Sequence, residues 1–213
     1  MKIGILLVGI SHTTIYDNTH TKKTRSYLDA VDNLYQTIID PLKKENIVNI
    51  YLTTYNNDEI DNIYVRYNPI KTLILDEIGS TQRGTFLSGL KLLENQDLDF
   101  IIVTRFDITF NFDIHNLNVN YDKFNFVFKE KENFYNRGFT TDVFYAFNYK
   151  YLKYMILASE YLYNNINSAP AKDLHPIYRE LSKYLLPDDI HFMFDDEHLS
   201  HNNHIFKTMA YLK

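Results

Sequence analysis

Among the 213 residues there is no cysteine and no tryptophan, and there are only five prolines and six glycines. Without cysteine a disulfide scaffold, a thiolate zinc site and a cysteine nucleophile are all excluded. Long apolar runs are also missing. The longest, Ile3 to Ile10, is interrupted by Gly4 and Gly9 and is too short to cross a bilayer. As a signal peptide it is poor, with one Lys, no small-residue cleavage site, and the polar Ser11–Thr14 directly after it. We therefore expect a cytoplasmic protein with no membrane span. Positive charge is in deficit: 22 Lys and Arg against 27 Asp and Glu give a net −5, which points away from nucleic acid as a partner. Apolar residues are abundant, at 45%, and 18 Tyr and 15 Phe raise the aromatic share to 15%, far too hydrophobic for disorder. No internal repeat, linker or low-complexity tract is visible. The expectation is one domain spanning 1–213.

Ile3–Ile10 reads as a strand covered on both faces, the pattern of a parallel sheet. A polar loop follows from Ser11 to Lys23. From about Arg25 the positions Leu28, Val31, Leu34, Tyr35, Ile38, Ile39 and Leu42 keep helical spacing. Asn46 ends that helix, and Ile47–Leu52 makes a second buried strand. The unit β–loop–α–β favours a right-handed crossover between parallel strands. Ile63–Tyr67 and Leu73–Leu75 read as short strands. A helix capped by Ser80 is expected to run to about Asn95, with Gly84 and Gly89 weakening its regularity. Phe100–Val103 is a third buried strand. Beyond it, Phe124–Phe128 and Val143–Phe147 read as aromatic strands separated by a charged, mobile Lys129–Arg137. Helices are expected over Tyr149–Tyr163 and Asp173–Leu186, the second with Pro176 in its first turn, and a last short strand over His191–Phe194. The fold class is α/β: a central, mostly parallel sheet flanked by helices, with a mixed α+β second half.

In open sheets of this kind ligands bind at the carboxyl ends of the strands. Three loops qualify. Gly9, Ile10, Ser11 and His12 follow the first strand and suit a nucleotide's base or phosphate, although they match neither GxGxxG nor a P-loop; a polar surface turn is the plainer reading. Thr53, Thr54 and Tyr55 follow the second, offering two hydroxyls and a ring on which a base can stack. The third strand delivers Arg105 and Asp107, two residues apart, to the mouth of the sheet. Charged groups there carry a desolvation cost unless they pair or bind something. Arg105 suits a diphosphate through its planar, bidentate guanidinium, and Asp107 suits Mg2+ or Mn2+. Read structurally, the two close the strand as a local salt bridge. Asp107-Ile108-Thr109 also fits an Asp-x-Thr phosphotransferase motif, which would sit on the first strand and be followed by a second Asp; neither condition holds.

Lys2-Ile-Gly-Ile-Leu-Leu-Val-Gly9, the helix leading to Asp40-Pro41, Val48-Asn-Ile-Tyr-Leu-Thr-Thr-Tyr55 and Asp99-Phe-Ile-Ile-Val-Thr-Arg-Phe-Asp107 together resemble GT-A-type glycosyltransferases. The resemblance is to the WavE-like capsule and lipopolysaccharide sugar transferases and to domains that glycosylate capsids of large algal DNA viruses, and it covers roughly residues 1–150. It implies a GT-A-like (Rossmann-like) fold, with 1–110 binding a nucleotide-sugar donor, UDP-sugar favoured, and 111–213 holding a glycan or glycoprotein acceptor. It implies transfer of a hexose or deoxyhexose to a hydroxyl, assisted by Mn2+ or Mg2+, in the cytoplasm, or the host cytoplasm if the chain is viral. By position, Asp107 stands where the family's metal aspartate lies, and Arg105 replaces the first Asp of a strict DxD. Arg83 is placed to reach the phosphates, or else is an exposed helix Arg. Where relatives have an Arg after the first strand's Gly, this chain has His12, with Lys22, Lys23 and Arg25 beyond. A catalytically silent module of the same fold is the competing reading.

Within Asn136-Arg-Gly-Phe-Thr-Thr-Asp142, Asp142 matches the family's Asp before an aromatic pair near the acceptor. A transferase that inverts the anomeric centre needs a carboxylate to take the acceptor proton. Phe139, Phe144 and Tyr145 can desolvate it; otherwise Asp142 is a strand-start residue, with Asp195, Asp196 and Glu197 as alternatives. His198, His201 and His204 form an H-x-x-H-x-x-H series. A late His ligates the metal in some GT-A enzymes, which makes His201 or His204 a candidate partner for Asp107, with a solvated His-rich tail as the alternative.

Overall fold

The computed structural model describes residues 1–9, 11–16, 22–76, 82–131, 133–165, 174–198 and 205–208. The first strand, β1 (Lys2–Val8), is buried on both faces, as its mostly apolar run leads one to expect. The segment read as a polar loop contains an antiparallel pair, β2 (His12–Tyr16) and β3 (Lys22–Ser26). The β-branched Thr13, Thr14 and Ile15 favour the extended backbone there over a coil. After a tight turn at Tyr27–Asp29, α1 (Val31–Leu34) passes through a π-helical turn at Tyr35–Ile39 into α2 (Asp40–Lys43), so the expected helix forms with a local change of pitch.

β4 (Ile47–Tyr55) lies parallel to β1, with Ile5 opposite Ile50 and Val8 opposite Thr53. Ile63–Tyr67, expected as a strand, belongs instead to α3 (Ile60–Tyr67). Ile60, Ile63 and Tyr67 recur at helical spacing; Ile63 and Tyr67 are buried while Val65 between them is 84% exposed, and Asn68 ends the helix in the left-handed conformation at φ 44°. β5 (Lys71–Leu75) pairs parallel with β4. Next, α4 (Gln82–Leu92) crosses back over the sheet; its expected cap, Ser80, lies outside the described residues. Gly89 lets α4 settle directly on the sheet: a Cβ there would stand 3.0 Å from the Thr53 hydroxyl and 3.1 Å from Leu6.

β6 (Phe100–Arg105) is parallel to β1 on its other side. A short strand, β7 (Ile108–Phe110), is fixed by Asn33 of α1, whose amide donates to the Phe110 carbonyl and accepts from the Phe110 N–H, at 2.9 and 2.7 Å. β8 (Phe124–Phe126) follows, then β9 (Lys129–Glu130) and α5 (Phe134–Arg137), so the charged segment carries defined structure. β10 (Phe144–Asn148) lies antiparallel to both β6 and β8. A turn at Tyr149–Tyr151 leads into α6 (Leu152–Asn164). The expected long helix over Asp173–Leu186 is only α7 (Ile177–Leu181), since Pro176 sits at its N-cap and the chain leaves the helix after Ser182. β11 (Ile190–Phe192) adds to the sheet beside β8; β12 (Glu197–His198) pairs with β9, and β13 (Phe206–Thr208) with β7.

The seven-stranded sheet has the order β11-β8-β10-β6-β1-β4-β5, and β10 alone runs against its neighbours. Alternate side chains feed two cores. Ile3, Ile5, Leu7, Ile50, Leu52, Phe100 and Ile102 meet α1, α2 and α3. Leu6, Val8, Tyr51, Ile101, Val103, Tyr145 and Phe147 meet α4, α6 and α7. Among the described residues no helix is long and apolar enough to cross a membrane.

One surface pairing gives a pH prediction. The Tyr151 hydroxyl donates to Asp189 Oδ1 at 2.8 Å, and the Leu186 N–H donates to Oδ2 at 3.1 Å. The phenol and then the amide hold the Asp189 carboxyl below its usual range. Burial first, then Asp189, pushes the Tyr151 phenol up to about 12. A depressed acid stabilises the fold above the ordinary carboxyl range and loses that contribution as pH falls through its folded value; a raised phenol contributes below about pH 10 and loses that contribution as pH rises towards 12. Tyr151→Phe should therefore cost about 1 kcal/mol at pH 7, and the gap from the parent should narrow in urea melts at pH 3 and pH 12.

Candidate active site

The parallel register brings the ends of β1, β4 and β6 to one edge of the sheet, with Val8 between Thr53 and Arg105. Gly9 leaves β1 at φ 104°, a backbone region that L side chains avoid, and its N–H donates to the Thr53 carbonyl at 3.1 Å. This turn drops Ser11 against β4: its hydroxyl lies 2.8 Å from that of Thr54, and the Asn57 amide donates to the Ser11 hydroxyl at 3.2 Å. Ser11 and Thr54 are both buried. Thr53 turns to the opposite face, under Gly89, and Tyr55 is 5% exposed with its hydroxyl on Thr85 of α4. Ile10 lies outside the described residues, as does the side chain of His12. The hydroxyl cluster at this edge is thus Ser11 and Thr54 with Asn57, the last residue of the candidate ligand loop Thr53–Asn57.

At the end of β6 the guanidinium of Arg105 grips Asp107 side-on: Nε donates to Oδ1 at 2.9 Å and an Nη donates to Oδ2 at 2.7 Å. The side chain of Asp107 is 4% exposed and that of Arg105 24%, so the acid is sealed in while part of the Arg105 side chain reaches the surface. Both carboxylate oxygens of Asp107 are engaged, and among the described residues no three His, Asp or Glu side chains converge to hold a metal. The described donor set does not fit a resident divalent cation. His201 and His204 lie outside the described residues. The pairing of β13 with β7 sets Thr208 opposite Ile108, while the Ile205 carbonyl accepts from Asn111 N–H. By register, it is Thr208 rather than Ile205 that comes nearest to Asp107.

Arg83 is fully buried between α4 and α6, where Nη1 donates to the Leu162 carbonyl at 2.9 Å. A cation at the last carbonyls of α6 also complements the negative end of that helix. Packing against α6 buries it, in place of the exposed helix Arg that the sequence suggested.

Asp142 is brought in. Because β10 runs against β6, with Phe144 opposite Thr104, the residues entering β10 lie where β6 ends. The Thr104 hydroxyl donates to the Val143 carbonyl at 3.0 Å and ties the two. Asp142 is 9% exposed and accepts from the Gln82 amide, at the start of α4, at 2.8 Å. Its other oxygen faces Nε2 of His175 at 3.9 Å. Asp195 and Asp196 are exposed, and Glu197 is engaged by the Tyr135 hydroxyl.

No family profile and no curated protein matches this sequence. Solved structures do. One is the crystal structure of the galactosyltransferase LgtC in complex with donor and acceptor sugar analogues, with a TM-score of 0.54 and 11% identity, covering 90% of this chain and 73% of that one. The mixed α/β architecture, with its mostly parallel seven-stranded sheet flanked by helices, is a GT-A-like fold.

Proposed function

We propose that the chain is a glycosyltransferase that moves a hexose or deoxyhexose from a nucleotide-diphosphate sugar, UDP-sugar by preference, to a hydroxyl of a glycan or glycoprotein. The observation that carries this reading is the convergence of the Gly9 turn, the Ser11–Thr54–Asn57 cluster, the Arg105–Asp107 pair and Asp142 at one edge of a GT-A-like sheet. The fold's likeness to a galactosyltransferase supports it.

In this reading the turn after β1 and the hydroxyl cluster take the nucleotide, and Arg105 meets the diphosphate. Asp107 fixes the plane of the Arg105 guanidinium, so its orientation is set before the donor arrives. As the bond from the anomeric carbon to the diphosphate breaks, the electron pair stays on phosphate oxygen, where Arg105 offsets the charge. Asp142, steadied by Gln82, takes the proton of the attacking hydroxyl. Any divalent cation would enter with the diphosphate, which brings the oxygens that the described residues lack.

The salt bridge itself favours a second reading, a binding module without turnover, because it satisfies Arg105 and Asp107 without any ligand. Incubation with a panel of UDP- and GDP-sugars, following release of the nucleoside diphosphate without an added acceptor, separates the two. Slow hydrolysis of one donor supports the transferase; binding of a nucleotide with no release from any donor supports the silent module.

A further inference from the structure

His175 is absent from every sequence motif, yet its ring is held on three sides. The Thr140 N–H donates to the His175 carbonyl at 3.1 Å, and Nδ1 of the ring lies 2.9 Å from the Thr140 carbonyl. Phe139 stacks on the ring with 6.0 Å between centroids and 26° between planes. A carbonyl can only accept, so Nδ1 carries a proton. Nδ1 also lies 3.3 Å from Glu130 Oε2, and Nε2 faces Asp142 Oδ1. The imidazole therefore sits between two carboxylates that are 14% and 9% exposed. Glu130 from β9 and Asp142 from the entry to β10 face it, with the neutral Gln82 of α4 on the far oxygen of Asp142 and the Arg137 guanidinium over the Phe139 ring. The backbone fixes all of them together, since Lys129 bridges Thr140 and the Glu130 N–H donates to the Phe139 carbonyl at 3.1 Å.

We propose that His175 is the proton-accepting partner of Asp142, a positioning residue that returns the carboxylate to its charged form after each transfer. The inference rests on Asp142 as the base of the proposed transferase. The acceptor hydroxyl gives its proton to Asp142 as the new glycosidic bond forms and the diphosphate leaves with the electron pair of the broken bond. Asp142 then passes that proton to Nε2 of neutral His175, giving an imidazolium flanked by the carboxylates of Asp142 and Glu130; loss of the proton to water resets the pair. The 3.9 Å separation is closed by a small side-chain swing or by one bridging water. Glu130, near the other ring nitrogen, stabilises the charge that arrives, while the Thr140 carbonyl holds the tautomer.

The test is a pH titration of the protein with 15N-labelled histidine, read by long-range NMR correlations from each imidazole nitrogen. The neutral form of His175 should carry its proton on Nδ1, and Asp142→Asn should lower its midpoint by about half a unit or more, the scale of a lost neighbouring charge. Glu130→Gln should lower it as well. A neutral form protonated at Nε2, or a midpoint that Asp142→Asn leaves in place, overturns the coupling whether or not the chain is an enzyme. On a donor that turns over, His175→Gln should lower kcat about 10- to 100-fold with KM within about twofold, and flatten the pH profile. An unchanged kcat in a folded His175→Gln protein overturns the catalytic use of the pair. The absence of turnover on every donor overturns the transferase reading and that use together, while the titration still decides whether His175 and Asp142 share a proton.

Discussion

Replacing Arg105 by Met is expected to destabilise the protein by about 3 kcal/mol, because Asp107 would be left 4% exposed with no cation beside it. The lower end of the range for a broken buried pair applies, since Arg105 itself is 24% exposed and part of its attraction is already screened by water. The cost should fall on lowering the pH towards 4, where the orphaned acid can be protonated. The double substitution Arg105→Met with Asp107→Leu removes both charges and should recover most of the loss. Urea denaturation of the three proteins checks the set. If the single and the double substitution are equally destabilised, the pair is not what secures the end of β6. The double variant has a further use, as a folded protein that lacks the guanidinium assigned to the diphosphate.

Asp142→Asn is expected to lower kcat by about 10²- to 10⁴-fold, the usual contribution of a positioned general base. The side-chain oxygen of Asn still accepts from Gln82 at the 2.8 Å contact, so the entry to β10 should keep its shape. Nucleotide affinity should stay within about twofold, because in the proposed reaction the base meets the acceptor and not the nucleotide. Kinetics on a donor that turns over, with calorimetry of the matching nucleotide, reads both quantities. A fall in affinity with kcat unchanged would move Asp142 from the reaction to the donor pocket.

Much of the frame was legible from the residues. β1 and β6 are short and almost wholly apolar, the pattern of strands buried on both faces. The loops at their carboxyl ends followed from the parallel order alone. Where the reading failed, local signals conflicted or distant ones decided. Ile63–Tyr67 is rich in β-formers, yet Ile60, Ile63 and Tyr67 bury one helical stripe. Arg83 looks like a surface cation, and only the packing of α6 over α4 shows that it is buried and donates to the Leu162 carbonyl, 79 residues away. His175 meets the Thr140 carbonyl across 35 residues. No spacing rule spans such a gap, and a single His before Pro176 in a polar stretch gives no hint of the two carboxylates around it. The Arg105–Asp107 pair was legible both as a ligand site and as a salt bridge. The structure shows the bridge, with part of the Arg105 side chain at the surface.

The central claim is that the edge formed by β1, β4 and β6 receives a nucleoside diphosphate at Arg105. Calorimetric titration of the whole chain with UDP and then GDP, each with and without Mn2+, tests it most directly. The account predicts micromolar binding of one nucleotide, UDP first, and a loss of at least about tenfold in the Arg105→Met/Asp107→Leu double variant, since one charge-assisted bidentate contact is worth more than 1.4 kcal/mol. Heat from neither nucleotide, with or without Mn2+, would contradict it, as would unchanged affinity in the folded double variant.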